Sequence, residues 1–115
     1  MPRFSVLAHD HPAPHWDLFL EAGDALRSWR LLAPLAAGVV VPAKPTGDHR
    51  LLYLDYEGPV SGDRGSVTRV DGGTFTWETD SLEHLVVRIA GTRFVGRLTL
   101  DRGPDGWTCR FDSND

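Results

Sequence analysis

The stretch Thr74-Phe75-Thr76-Trp77-Glu78 alternates aromatic and polar side chains with a period of two. Successive side chains of a β-strand point to opposite faces, so this pattern predicts a strand with one buried face. The run from Arg93 to Leu100 ends in the same alternation. Both runs therefore predict half-buried strands of an antiparallel sheet.

The rest of the chain consists of similar short runs, interrupted by twelve Gly and eight Pro. Turns are predicted where these residues cluster with polar ones, and a single helical turn is expected around Ser81 to His84. The predicted turns are Ala22–Asp24, Thr46–Asp48, Asp71–Gly73, Ala90–Thr92 and Asp101–Gly106. The predicted strands are Phe4–Ala8, Trp16–Glu21, Ala25–Leu31, Val39–Val41, Leu51–Tyr56, Gly65–Val70, Gly73–Glu78, His84–Ala90, Arg93–Leu100 and Trp107–Phe111.

Many short strands joined by tight turns predict an all-β fold, either a barrel or a sandwich, with at most one or two short helical turns. The length of 115 residues fits one domain over residues 1–115. The polar residues 112–115 are expected to fray.

The charge balance limits the classes of partner. Sixteen acidic residues against twelve basic ones give a net charge of −4. Non-specific nucleic-acid binding needs a basic surface, because its affinity comes largely from counterion release. Any contact with nucleic acid is therefore expected to be local and assisted by a bound cation.

Cysteine use and hydropathy indicate the compartment. One cysteine, Cys109, cannot form a disulfide within the chain and fits a reducing environment. The longest apolar run, Leu31 to Val41, is interrupted by proline and glycine and is far shorter than the roughly 20 residues that span a bilayer. No signal peptide is recognised. A soluble, cytoplasmic protein without membrane contact is expected.

Three of the five histidines lie between His9 and Asp17. Imidazole nitrogens and a carboxylate are natural ligands for Mn, Fe or Zn ions. His15 and Asp17 are two apart, so on a strand they share a face, and a proline-containing loop is expected to fold His9 back over that face. The other interpretation is a polar loop with incidental histidines, and His11 has the weaker claim as a ligand.

A second cluster begins at Asp48-His49 and includes Tyr53 and Asp55. His49 and Tyr53 are four apart, so on a strand they share a face and are able to bind a phosphate or pass a proton to a leaving group. The alternative makes Tyr53 a core aromatic and His49 a turn residue. His84 is expected to be structural.

The two clusters, taken in order, resemble the 3′-phosphoesterase domain found at the N-terminus of bacterial DNA ligase D and as standalone proteins. That family carries His, five residues, His, an aromatic and Asp, matched by His9 through Asp17. It then has a Ser-Trp pair, matched by Ser28-Trp29, and an Asp-His pair with Tyr four residues later. The Gly73 to Trp77 strand also fits, so the resemblance covers nearly the whole chain.

The resemblance implies a compact β-barrel with its site in a surface crevice. It implies that His9, His15 and Asp17 hold a catalytic Mn²⁺, with Zn²⁺ or another divalent metal as alternatives. It also implies that His49 and Tyr53 act on the scissile phosphate. Members of the family remove a 3′-phosphate or 3′-terminal ribonucleotide from a primer strand.

One departure bears on activity. The family has Arg two residues after the metal-binding Asp, where this chain has Phe19. A phenyl ring cannot replace the bidentate phosphate contact of a guanidinium. Arg30 and Arg64 are the candidates to compensate, as phosphate-binding residues contributed by a neighbouring strand and a loop.

The sequence thus favours a metal-dependent phosphoesterase acting on the 3′-end of nucleic acid, with separate polymerase and ligase partners in end repair. The lost arginine and the acidic charge support an alternative. In that alternative the chain keeps the metal and serves as a binding module, or it acts on another phosphate ester. A third interpretation is a small β-barrel with no metal role.

Overall fold

Strand alternation accounts for the architecture in the computed structural model, which describes residues 1–114. Nearly every strand turns its apolar residues to one interior and its polar residues outward. The strands are β1 (Arg3–His9), β2 (His15–Ala22), β3 (Ala25–Leu31), β4 (Val40–His49), β5 (Gly58–Pro59), β6 (Ser66–Asp80), β7 (His84–Gly91), β8 (Val95–Gly103) and β9 (Gly106–Ser113), with a 3-10 turn at Leu51–Leu54.

All pairings between these strands are antiparallel, in the order β1-β2-β3-β4-β9-β8-β7-β6. The first half of β6 also pairs with β1, so within residues 1–114 eight strands close into a barrel. The short strand β5 pairs with the beginning of β6. The all-β barrel and the small helical content are therefore confirmed.

The barrel interior is filled by aromatic and aliphatic side chains from all eight strands. Each of these side chains contributes about 1.5–3 kcal/mol when it is fully buried. The phenyl rings of Phe94 and Phe111 lie edge to face, with ring centres 5.2 Å apart. The most deeply buried members include Phe4, Val6, Leu18, Leu20, Leu31, Phe75, Val87, Ile89, Leu98 and Leu100.

A second apolar cluster lies outside the barrel, on the opposite face of β1, β2 and β3. We call it the outer cluster: Leu7, Phe19, Leu26, Leu54 and Val67. Leu54 belongs to the 3-10 turn, which covers this face of the sheet. β1 and β2 are therefore apolar on both faces here, one against the interior and one against the covering chain.

The predicted turn at Asp71–Gly73 is wrong, because these residues lie inside the long strand β6. A Cβ atom on Gly73 would come within 2.1 Å of the Ala90 carbonyl oxygen, so glycine serves a close approach of two strands. The buried carboxylate of Asp71 accepts backbone N–H bonds from Thr92, Arg93 and Phe94 at 2.7–3.1 Å. It thereby holds the turn between β7 and β8.

The predicted turn at Thr46–Asp48 is also wrong, since β4 continues to His49. The predicted strand Leu51–Tyr56 is instead the 3-10 turn, which packs Leu54 into the outer cluster. The segment Ser81–His84 forms a tight turn closed by Ser81 rather than a helical turn.

Strand β9 extends through Ser113, and the Asn114 N–H donates to the Val95 carbonyl. Residues expected to fray are therefore paired as far as Asn114, while Asp115 lies outside the described residues. Among the residues described, no helix has the length and apolar character needed to cross a membrane.

Candidate active-site crevice

The hairpin of β1 and β2 brings together the first group of candidate residues. His9 lies directly opposite His15, and Leu7 lies opposite Asp17. The antiparallel register therefore puts His9, His15 and Asp17 on one outer face, with Trp16 packed against the barrel interior. The shared face of His15 and Asp17 is as predicted. The loop between β1 and β2 also brings His9 onto this face, as expected, and His9 is the last residue of β1 in regular register.

These three residues form the His-His-Asp cluster, whose ligand atoms all lie within 4.8 Å of one another. His15 Nε2 is 3.4 Å from Asp17 Oδ1, and His9 Nδ1 is 3.6 Å from Asp17 Oδ2. His15 is 3% exposed, whereas the Asp17 side chain keeps 13% of its surface open. The cluster is thus largely desolvated but open on one side.

Backbone carbonyls orient both imidazoles. His15 Nδ1 lies 2.9 Å from the Ala13 oxygen, and His9 Nε2 lies 2.8 Å from the Arg64 oxygen. A carbonyl oxygen only accepts, so each of these ring nitrogens carries the proton. In a neutral ring the other nitrogen carries the lone pair, and in both rings this nitrogen faces the Asp17 carboxylate.

Lone pairs that face a carboxylate at this distance repel it unless a metal ion or a ring proton lies between them. His15 Nε2 is buried and has no hydrogen-bond partner. Outer N–H groups held by carbonyls and inner nitrogens left free are the usual arrangement around a metal-binding histidine. Two imidazoles and one carboxylate are suitable donors for Mn²⁺ or Zn²⁺. The donor set therefore fits a divalent metal.

A crevice of about 380 Å³ opens beside the cluster on the outer face of the barrel. Apolar residues of the outer cluster form its base, and several cationic or aromatic side chains form its rim. It is lined by Leu7, His9, His11, Pro12, Asp17, Phe19, Arg30, Thr46, His49, Tyr53, Val60, Arg64 and Val67. His11 is exposed at the rim, its ring centre 6.5 Å from that of His9, and lies outside the cluster.

A β-bulge brings His49 to the crevice. Thr46 pairs with Ser28 and His49 pairs with Leu26, so β4 has one more residue than β3 over this interval. In a regular strand Thr46 and His49 would point to opposite faces, and the extra residue places both on the outer face. The sequence predicted a turn at Gly47-Asp48, whereas these residues form the bulge.

His49 and Tyr53 meet in the crevice although they do not share a strand. Their ring centres are 6.0 Å apart, and the Phe19 ring lies 5.1 Å from His49 and 6.2 Å from Tyr53. His49 Nδ1 donates to the Gly47 oxygen at 2.8 Å, which leaves Nε2 available to hold a proton. Asp55, expected nearby, instead pairs with Arg3.

Both arginines proposed as replacements for the missing family arginine line the crevice. Arg30 lies opposite Asp17 in the sheet, and its Nε is buried without a hydrogen-bond partner. Arg64 is held by Ser61, through Nε to the carbonyl at 2.6 Å and through Nη2 to the hydroxyl. Positive charge therefore gathers at the crevice despite the net charge of −4.

The loop Gly62–Gly65 contributes more than sequence reasoning found. Its Arg64 carbonyl orients His9, and the following Ser66 N–H donates to the Asp10 carboxylate at 2.8 Å. This bond lowers the pKa of the Asp10 carboxyl group. Gly65 has φ +73°, and a Cβ there would lie 2.1 Å from Asp10 Oδ1. The two glycines of this loop, Gly62 and Gly65, are the sequence signal that indicates such a close approach of the loop to Asp10.

Two further predicted residues lie away from the crevice. His84 contacts the carboxylate of Asp101, which is directly opposite it on β8, so a structural role fits its position. Cys109 is fully buried, and desolvation raises its pKa to about 12. This thiol is therefore not ionised at neutral pH and suits an inert role.

The family model of the DNA Ligase D 3′-phosphoesterase domain matches residues 7–102, which include every candidate residue of the crevice. The chain belongs to this family. It is also 30% identical over 114 aligned residues to the multifunctional non-homologous end joining DNA repair protein LigD of Mycobacterium tuberculosis. That alignment covers 90% of the chain but spans only 15% of the length of the relative.

Proposed function

We propose that the chain is a metal-dependent phosphoesterase that removes a 3′-phosphate or a 3′-terminal ribonucleotide during DNA end repair. The observation that carries this proposal is convergence. His9 and Asp17 of the His-His-Asp cluster, the His49–Tyr53 pair and the two arginines all line one crevice, although they come from four strands and two irregular segments. Family membership supports the same reaction class.

The His-His-Asp cluster would hold Mn²⁺, or Zn²⁺ or another divalent metal in its place. Such an ion polarises phosphoryl oxygens and neutralises the charge that develops on them. The ligand atoms of His9, His15 and Asp17 already lie within 4.8 Å of one another. Little reorganisation of the protein is therefore needed on metal binding.

The remaining crevice residues would act on the phosphate and the leaving group. Arg30 and Arg64 are placed to bind the phosphoryl oxygens through charge-assisted hydrogen bonds. His49 Nε2 would pass a proton to the leaving oxygen, since Nδ1 is held by Gly47. The Tyr53 hydroxyl would donate to the phosphate, with its ring steadied by Phe19.

The substrate class follows from where the cations lie. A chain with net charge −4 lacks a broad basic surface, so we infer that it recognises a strand end and not an extended duplex. The relative is named for end joining, and this chain corresponds to a small part of it. We infer that it works in the cytoplasm together with a polymerase and a ligase.

The test is phosphate release from a 5′-labelled primer bearing a 3′-phosphate, in the presence of Mn²⁺. The wild type should yield the 3′-hydroxyl product, and His49→Asn should slow release by about 10²–10⁴-fold because proton transfer is lost. Tyr53→Phe should also slow it, while His84→Asn serves as the distant histidine control. Absence of release by a wild type that binds metal would reject this function.

A second candidate is supported by Phe19. Its ring is 1% exposed and fills the outer cluster at the position of the family arginine. A chain that has lost this phosphate contact is suited to bind metal and nucleic acid as a repair accessory, or to act on another phosphate ester. Metal binding without phosphate release from primers would favour this candidate.

A further inference from the structure

A second groove adjoins the crevice and shares two of its wall residues. It has a volume of about 390 Å³, and Tyr53 and Val60 line both spaces. The other lining residues of this side groove are Arg50, Leu52, Tyr56, Pro59 and Ser61. The side groove therefore continues from the crevice along the 3-10 turn toward β5.

The walls of the side groove are aromatic and apolar. The ring centres of Tyr53 and Tyr56 are 5.7 Å apart with the rings nearly perpendicular. The Tyr56 hydroxyl donates to the Pro59 carbonyl, which fixes the orientation of the ring. Leu52 is 45% exposed beside them. Half-buried aromatic rings next to open apolar surface provide a platform on which a nucleobase can stack.

One cation lies at the side groove without an internal partner. Arg50 is exposed, and among residues 1–114 its side chain makes no ion pair or hydrogen bond. Five of the other ten arginines form ion pairs, such as Arg3 with Asp55 and Arg97 with Glu78. An unpaired guanidinium beside these aromatic rings suits a phosphodiester that follows a base.

We propose that the side groove binds the penultimate nucleotide, the one before the nucleotide that carries the terminal phosphate, with its base unpaired. The substrate class is then a single-stranded 3′-end of at least two nucleotides and not a small phosphate ester. The inference rests on the proposed function, which places the terminal phosphate in the crevice. Tyr53 lies at the junction, between the terminal nucleotide in the crevice and the penultimate base in the side groove.

The test compares ligands that differ only in length. Thymidine 3′-monophosphate and the dithymidylate ending in 3′-phosphate are titrated into the full chain by calorimetry, in EDTA so that no turnover occurs. The wild type should bind the dinucleotide about tenfold more tightly, as expected for one stacked base. Equal affinity for the two ligands, or failure to bind either, would overturn the inference.

Variants locate the effect. In Arg50→Ala and in Tyr56→Leu the ratio of the affinity for the dinucleotide to that for the mononucleotide should fall to near one. Arg102→Ala, which removes an exposed arginine elsewhere, should preserve the wild-type ratio. With a labelled tetrathymidylate, Arg50→Ala should also reduce the slope of log K against log salt by about 0.7. An Arg50→Ala variant that matches Arg102→Ala in both measurements would contradict the proposed site.

Failure of this inference is distinguishable from failure of the proposed function. Phosphate release with Mn²⁺ at equal kcat/KM from the mononucleotide and the dinucleotide would keep the phosphoesterase and reject the side groove. Length-dependent binding without any release would keep the side groove and reject the phosphoesterase.

Discussion

The crevice has two walls that are built in different ways. The ligand wall is the hairpin of β1 and β2, where the His-His-Asp cluster follows regular antiparallel register. The cover segment, residues 47–65, combines a bulge, a 3-10 turn, the short strand β5 and a glycine loop. Asp63 in that loop adopts φ 56°, which is uncommon for a residue other than glycine.

The difference reflects what each wall has to do. Metal ligands need to be held within fractions of an ångström, and paired strands provide that rigidity. Of the groups proposed to contact phosphate, Arg30 belongs to the sheet itself, whereas Tyr53 and Arg64 approach the crevice from above the sheet. An irregular segment that crosses the face supplies them, as is common for functional loops on a rigid scaffold.

The largest effect is expected where the two walls meet. Phe19→Arg puts a charge into the outer cluster, where Phe19 is 1% exposed between β2 and the 3-10 turn. We expect a loss of about 3–5 kcal/mol in the free energy of unfolding, measured by urea denaturation, because the charge is buried without a partner. Phe19→Leu is the control and should cost less than half as much.

If Phe19→Arg kept wild-type stability and bound inorganic phosphate more tightly, the cover segment would be able to accommodate the family arginine. The Phe19 ring would then not be required for the packing of the cover segment against the ligand wall.

The next effect isolates the ligand wall. His15→Ala removes a buried donor of the His-His-Asp cluster, so Mn²⁺ affinity measured by calorimetry should fall at least about 100-fold. His84→Ala, which alters an exposed histidine on β7, should leave the affinity unchanged. Unchanged affinity in His15→Ala would place the metal elsewhere, and no binding by the wild type would remove the metal from the proposal.

A smaller effect tests whether the cover segment positions the ligand wall. Gly65→Ala introduces a Cβ that would lie 2.1 Å from Asp10 Oδ1 and 2.6 Å from His11 Cβ. The loop must shift, and the Arg64 carbonyl then loses its bond to His9. Mn²⁺ affinity should fall about 10–100-fold, as for the loss of an outer hydrogen bond to a metal ligand.

Gly62→Ala is the matched control in the same loop. Gly62 also has a positive φ, +76°, but a Cβ there would be no closer than 3.6 Å to another residue. Gly62→Ala therefore has the same unfavourable positive φ as Gly65→Ala, but its Cβ does not collide with a neighbouring residue. Equal losses in the two variants would show that strain in the loop, and not contact with His9, controls the metal site.

The smallest effect concerns the ion pair that ties the cover segment to β1. Arg3 binds Asp55 through two hydrogen bonds, at 2.5 and 3.1 Å, and these bonds lower the pKa of the Asp55 carboxyl. The free energy of unfolding of the wild type should therefore exceed that of Asp55→Asn by about 0.5 kcal/mol near pH 7. The difference is small because the ion pair is largely exposed.

This advantage should be present above the unfolded pKa of about 3.9 and be lost as the pH falls through the lower folded pKa. Urea denaturation between pH 2 and 7 measures it. Glu83→Gln, at an exposed carboxylate without a side-chain partner among the described residues, should show no such dependence. A constant difference between wild type and Asp55→Asn at all pH values would mean that the pair is not ionic.

The ligand wall was largely predictable. Alternation marked β2, and the two-residue spacing of His15 and Asp17 placed both on one face. The cover segment was not predictable in the same way. The four-residue spacing predicted that His49 and Tyr53 lie together on one strand. They do lie together, but a bulge and a 3-10 turn bring them there and the predicted strand does not form. The turns predicted at Gly47 and Gly73 are wrong, because both residues lie within strands.

The sequence by itself determined the all-β class, the family, and the residue types of the His-His-Asp cluster, because these depend on local periodicity and on motif spacing. Tertiary structure decided the rest: the closure of β6 on β1, the use of Phe19 as packing, and the convergence of Arg30 and Arg64 on the crevice. These features arise from contacts between residues far apart in the chain, and the side-chain pattern of a single segment carries no information about them.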